Sequence, residues 1–139
     1  MALILDTGVV YAALDRADAA HAKCRSLLAG AHERLVVPSP TLPEIDYWVS
    51  KHLGAGAMVA FLRDVRAGAF VVEDLLPEDY SRAIEVLDDY ADLDVGFVDA
   101  SVLAIVERLG ERRLATLDRR HFSVLRPRHV DALELLPSD

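Results

Sequence analysis

Residues 2–14 read ALILDTGVVYAAL, a run of four apolar residues, one aspartate, and then an apolar and small-residue pattern that continues without a linker. A short apolar run passing directly into helical periodicity is a strand-to-helix junction. Ala2 to Leu5 is therefore expected as a strand and Thr7 to Leu14 as a helix, with Asp6 at the turn between them. Asp18 can N-cap a second helix that presents Cys24, Leu27 and Leu28 on one face and stops at Gly30. Arg34 to Val37 predicts a second strand, closed by Pro38 and Pro40, and Thr41 opens a helix with Leu42, Ile45, Val49 and Leu53 along one stripe. Gly54 to Ala67 predicts a further helix and Ala69 to Val72 a third strand, after which Pro77 starts a helix reaching about Tyr90. Val98, Val102, Ile105 and Leu109 mark another helix, stopped by Gly110 before a strand from Arg113 to Leu117 that ends at Asp118. Ala132 to Leu136 reads as an edge strand. Strands and helices alternating along the whole chain predict one α/β domain over residues 1–139, a three-layer sandwich with a mainly parallel central sheet.

Composition narrows what such a domain can do. Hydrophobic residues make up 53% and charged residues 27%, which places the chain among those that bury a core. Lys plus Arg is 15 against 23 for Asp plus Glu, a net charge of -8. A uniformly basic nucleic-acid-binding surface is thereby excluded, and any contact with RNA has to be local. With Cys24 as its one cysteine, the chain can form neither an internal disulfide nor a cysteine-based metal site, which fits a reducing compartment and makes the cytoplasm the expected location. The first residues carry an aspartate within their apolar stretch and no leading positive charge, so neither a signal peptide nor a membrane anchor is expected.

Ligands of open parallel sheets bind outside the carboxyl ends of the strands. Four acids map to that edge: Asp6 after the first strand, Glu44 in the helix after the second, Asp99 in the first turn of the Val98 helix, and Asp118 after the fourth strand. Each also has an ordinary explanation. Asp6 can simply cap a helix, Thr41 and Glu44 have the T-x-x-E spacing of a capping box, Asp99 suits a helix N-terminus, and Asp118 suits a turn. Four acids gathered by one sheet edge are a different matter, because carboxylates about 4 Å apart repel by roughly 4 kcal/mol at an effective dielectric constant of 20. Protons can relieve that repulsion, and so can hard divalent cations such as Mg²⁺ or Mn²⁺, which prefer oxygen ligands. The absence of cysteine and of an evident histidine triad among these acids disfavours zinc.

The stretches LDTGVVYAAL around Asp6, PSPTLPEIDYWV around Glu44, GFVDASVLAIVERLG around Asp99 and RLATLDRRHF around Asp118 together resemble the four acidic motifs of PIN-domain ribonucleases. Within that family they are most similar to the VapC toxins of bacterial toxin–antitoxin modules, and the resemblance spans nearly the whole chain. It implies an α/β/α sandwich and a divalent-metal-dependent endoribonuclease held in check by a small cognate antitoxin. By that resemblance Asp6, Asp99 and Asp118 would hold metal directly or through water, and Glu44 would orient the attacking water or bind metal itself. Thr7 and Thr116 match hydroxyl positions that support the carboxylates. Gly8 departs from the family, which more often has Asn or Ser there, and Pro43 before Glu44 is also unusual. A homodimer is implied, with a larger assembly once antitoxin binds. An antitoxin reaching into an acidic cleft is expected to insert an arginine or lysine.

Other segments carry weaker signals. Arg108, Arg112, Arg113, Arg119, Arg120, Arg126 and Arg128 lie in one stretch against only Glu111 and Asp118. Arg119, Arg120 and His121 are its candidates for RNA contact, the alternative being surface arginines that pair with acids elsewhere. Asp94 is a candidate for the outer shell of a metal, although the run from Asp88 reads more simply as a solvated helix end. Asp46 points away from Glu44 on a helix, His21 reads as a helix-surface or hairpin-packing residue, and Tyr47 and Trp48 read as core or dimer-face residues, the less favoured alternative being that they stack RNA bases. The rival function is a PIN-like binding module whose acidic cleft grips a basic partner without turnover. A haloacid-dehalogenase-type phosphatase would need an aspartate where Gly8 stands, and a receiver domain would need a late lysine, whereas the lysines are Lys23 and Lys51.

Overall fold

The structure, a computed structural model, describes residues 1–138. Strand β1 (Ala2–Leu5) leads into α1 (Thr7–Leu14) and α2 (His21–Gly30), and β2 (Arg34–Pro38) into a short 3₁₀ turn, α3 (Leu42–Leu53) and α4 (Ala55–Arg66). After β3 (Val71–Glu73) come α5 (Pro77–Asp89), a second 3₁₀ turn, α6 (Phe97–Arg108), β4 (Arg113–Ala115), α7 (Arg119–Phe122) and β5 (Glu134–Leu136). The strands lie in the order β3-β2-β1-β4-β5 and every pair is parallel. Ile4 is central to the register, opposite Val36 on one side and Leu114 on the other.

Alternation along the strands builds a core on each face of the sheet. Leu3 and Leu5 pack with Val9, Val10, Val37, Ile45 and Phe61, while Ala2 and Ile4 pack with Val36, Val86, Leu103, Val106, Leu114 and Phe122. Because β1 is covered on both sides, all four of its residues are buried, which is why its sequence is continuously apolar rather than alternating. The expected three-layer sandwich is thus the observed one.

The chain leaves central β1 for β2 and β3 on one side, then crosses over to β4 and β5 on the other. Neighbouring strands therefore send their connections in opposite directions where β1 meets β4, and a crevice opens at their carboxyl ends. Asp6 and Asp118 follow those two strands. The backbone N–H of Asp6 donates to the carbonyl of Ala115 at 2.8 Å, tying the two strand ends together.

Several local expectations are corrected. Asp18 does not cap α2 directly: its carboxylate accepts from the Ala20 N–H at 2.8 Å, closing a turn ahead of a helix that starts at His21. Thr41 and Glu44 form no capping box, since Thr41 Oγ1 donates to the Pro38 carbonyl at 2.8 Å and α3 has no side-chain N-cap bond. Strand β3 sits two residues later at its start than expected, and β4 ends at Ala115 rather than Leu117. There the Thr116 hydroxyl accepts from the Asp118 N–H at 3.0 Å and turns the chain out of the sheet. Tyr47 and Trp48 do not belong to the core, being 56% and 42% exposed.

Candidate active site

Asp6 lies where β1 gives way to α1, and its carboxylate is almost fully buried, with 7% of the residue exposed. One oxygen accepts from the Thr7 N–H at 2.9 Å and the other from Thr116 Oγ1 at 2.8 Å. These bonds favour the charged form, yet burial outweighs them, and with the Asp99 and Glu44 charges it pushes the carboxyl up to about pKa 6. Thr116 is itself buried in the end of the sheet.

Glu44, in the first turn of α3, is held from across the crevice by Thr7, whose hydroxyl donates to Oε1 at 2.6 Å. The T-x-x-E glutamate thus serves the sheet edge and not its own helix. Asp99 occupies the first turn of α6 and is raised above the ordinary carboxylate range by burial and then by the Asp118 charge. Asp118 caps α7, accepting from the His121 N–H at 3.1 Å. Its second oxygen lies 2.7 Å from His121 Nδ1, which is also 3.4 Å from Asp99. The Asp118 hydrogen bond raises the His121 imidazole above its usual pKa, which favours its protonated form beside the acids.

Asp6, Glu44, Asp99 and Asp118 line one open cleft of about 570 Å³, shared with Thr7, Gly8, Tyr11, Asp18, Trp48 and His52. Ligand atoms of Asp99, Asp118 and His121 come within 4.8 Å of one another. Carboxylates with raised pKa values beside an open cleft leave a deficit of positive charge, and carboxylate oxygens are the donors that hard divalent cations take. The residues present therefore fit such an ion.

The remaining candidates fall elsewhere. Asp94 is exposed, has φ +56°, and does not line the cleft. Arg119 directs its guanidinium to the carbonyls of Leu135 at 3.3 Å and Pro137 at 2.6 Å, bracing the edge strand, while Arg120 is exposed beside His121. Much of the basic segment is bound to acids: Arg108 to Asp79 at 3.0 Å and Glu73 at 3.3 Å, Arg113 to Glu33, and Arg128 to Glu85. Asp46 accepts from Ser50 on its own helix, and His21 bonds the Ala12 carbonyl within the α1–α2 hairpin. A Cβ at Gly8 would meet Leu117 at an ordinary 3.8 Å, so space does not require glycine there.

Sequence reasoning missed the place of His121 among the acids and the aromatic wall of Tyr11, Trp48 and His52. The first had a signal in the D-R-R-H spacing, which lets a capping aspartate reach a side chain three residues on. The second had one too, since Glu44, Trp48 and His52 follow each other at intervals of four on α3.

This fold and this convergence of acids define a class, and a family comparison agrees: residues 3–126 match the PIN domain, and the chain belongs to that family. Among curated relatives it is 33% identical over 125 residues to Ribonuclease VapC26 of Mycobacterium tuberculosis, covering 90% of this chain and 93% of that protein. Among solved structures it is similar to VapC20 of M. tuberculosis, described as a toxin that cleaves the sarcin–ricin loop. That match has a TM-score of 0.74 at 22% identity, over 81% of this chain and 86% of the other. It also resembles VapBC2 of Rickettsia felis bound to a promoter DNA fragment, with a TM-score of 0.70 at 19% identity over 97% of this chain and 98% of the other. The two structural likenesses speak to the fold alone.

Proposed function

We propose that this protein is a Mg²⁺- or Mn²⁺-dependent endoribonuclease, the toxin of a toxin–antitoxin pair acting in the cytoplasm. The observation that carries the reading is the meeting of Asp6, Glu44, Asp99 and Asp118, from four separate parts of the chain, in one cleft at the sheet's carboxyl edge. The similarity to Ribonuclease VapC26 supports RNA as the substrate class. Asp6, Asp99 and Asp118 would hold the metal, and the ion would supply a Lewis acid that polarises the phosphoryl group and acidifies a water. Glu44, held by the Thr7 hydroxyl, would orient that water and take its proton, and the Thr116 hydrogen bond would steady the Asp6 carboxylate for the metal. The likeness in fold to the VapBC2 complex supports a small antitoxin as partner. Such a partner would block the acids with a basic side chain, and the active chain would be a homodimer.

The test is cleavage of a broad pool of cellular RNA by the purified chain with Mg²⁺ or Mn²⁺. Activity should vanish with chelator and in Asp6→Ala and Asp99→Ala. Full activity in either variant, at unchanged fold stability, overturns the assignment. Binding of RNA or of a basic partner with no cleavage in any metal would point instead to a binding module.

A further inference from the structure

The face of α3 that begins with Glu44 in the cleft continues with Trp48 and His52, and all three side chains border the same opening. Trp48 is 42% exposed. Its indole lies parallel to the His52 ring, with 2° between planes and centroids 5.7 Å apart, and Tyr47 meets it edge-on at 5.1 Å. His52 is in turn backed by Tyr11 of α1 at 5.9 Å, so the array is braced from two helices. Lys51 adds a cation, with Nζ 5.3 Å from the Tyr47 ring and 5.7 Å from the Trp48 ring. In a chain of net charge -8, an exposed flat aromatic and a lysine beside a cleft of carboxylates are a local inversion of character.

A core does not need this arrangement, since the buried stripe of α3 is Ile45 and Val49. A single-stranded nucleic acid does. It presents flat bases that stack on aromatic rings and phosphates that seek a cation, whichever base is present. The acids repel those phosphates, so a strand has to be held just outside them. We propose that Trp48, backed by His52, is a nucleobase-stacking platform for a nucleotide flanking the cleavage point, with Lys51 contacting an adjoining phosphate. This rests on the reading of the cleft as a ribonuclease site and names how its substrate is positioned.

Trp48 is the single tryptophan, so its fluorescence reports the platform directly and without catalysis. The probe is a single-stranded oligoribonucleotide in the presence of chelator, which withholds the metal that the proposed cleavage needs, and inorganic polyphosphate serves as the base-free control. The oligonucleotide should quench Trp48 saturably and polyphosphate should not. In steady-state cleavage, Trp48→Ala should raise KM roughly ten-fold or more with a much smaller change in kcat, and Trp48→Phe should recover most of the loss. Lys51→Gln should weaken binding and flatten its salt dependence. Bound oligonucleotide without quenching, or cleavage by Trp48→Ala at unchanged KM, overturns the platform while leaving the nuclease assignment standing. A wild-type chain that neither binds nor cleaves RNA overturns both. Emission that changes only with dilution of the protein or on adding a basic peptide would make this face a protein interface and likewise overturn it.

Discussion

Thr116 Oγ1 donates to Asp6 Oδ2 at 2.8 Å while accepting the Asp118 N–H at 3.0 Å, so one buried hydroxyl joins the first and fourth acids of the cleft. Thr116→Val keeps the shape, removes the bridge, and leaves a buried carboxylate oxygen and a backbone N–H without these partners. Loss of such a supporting contact typically costs 10- to 100-fold in metal affinity or activity, and about 1–3 kcal/mol of stability. Thr116→Ser should retain most of both. Metal titration and thermal melting of the two variants check this, and a valine variant matching wild type in both would show that the bridge is idle.

Asp6 makes the metal-free fold sensitive to pH. The folded chain holds the Asp6 proton up to about pH 6, whereas an unburied aspartate releases it near 3.8. The folded form therefore binds more protons between those values, and this group's contribution to stability falls as pH rises through that window. Above pH 7 the buried charge costs about 3 kcal/mol, since each pH unit across the window contributes about 1.4 kcal/mol. Asp6→Asn removes the charge but weakens the Thr116 hydrogen bond, for a net gain of about 2 kcal/mol at pH 7.5 in chelator that disappears by about pH 4. Denaturant melts at the two pH values measure it, and a variant less stable than wild type at pH 7.5 would contradict the sign.

The basic segment divides into arginines that hold the fold and arginines that face outward. Arg108 neutralises Asp79, which is 2% exposed and also accepts from the Leu76 N–H at 2.8 Å. Removing one partner of a buried pair typically costs 3–5 kcal/mol, so Arg108→Met should destabilise by about 3 kcal/mol. Arg120 is exposed, and Arg120→Glu should leave the melting point unchanged while raising KM for RNA, most strongly at low salt. The reverse assignment of effects in melts and salt-dependent kinetics would overturn this division.

The fold was legible because its signals were local and redundant. Continuous apolar β1, the glycine stop at Gly110 and the stripe Leu42, Ile45, Val49 and Leu53 each report one neighbour relationship that the tertiary structure does not override. Interactions of side chains across elements were harder to read. The T-x-x-E spacing is satisfied equally by a cap and by a cleft, and only the approach of α1 to α3, which brings Thr7 to Glu44, distinguishes them. Arg108 and Arg113 looked like a basic patch because Asp79, Glu73 and Glu33, which bind them, are distant in sequence. Strand β4 reads too long from sequence because apolar Leu117 continues the pattern beyond the Thr116 turn.

Binding of Mn²⁺ to the purified chain, followed by electron paramagnetic resonance at pH 7, most directly tests whether the four acids constitute a metal centre. Wild type should take up the ion, with affinity reduced at least about ten-fold in Asp99→Asn and in Asp118→Asn while the fold is retained. Folded wild type that binds no Mn²⁺, or variants that bind it undiminished, would contradict the account.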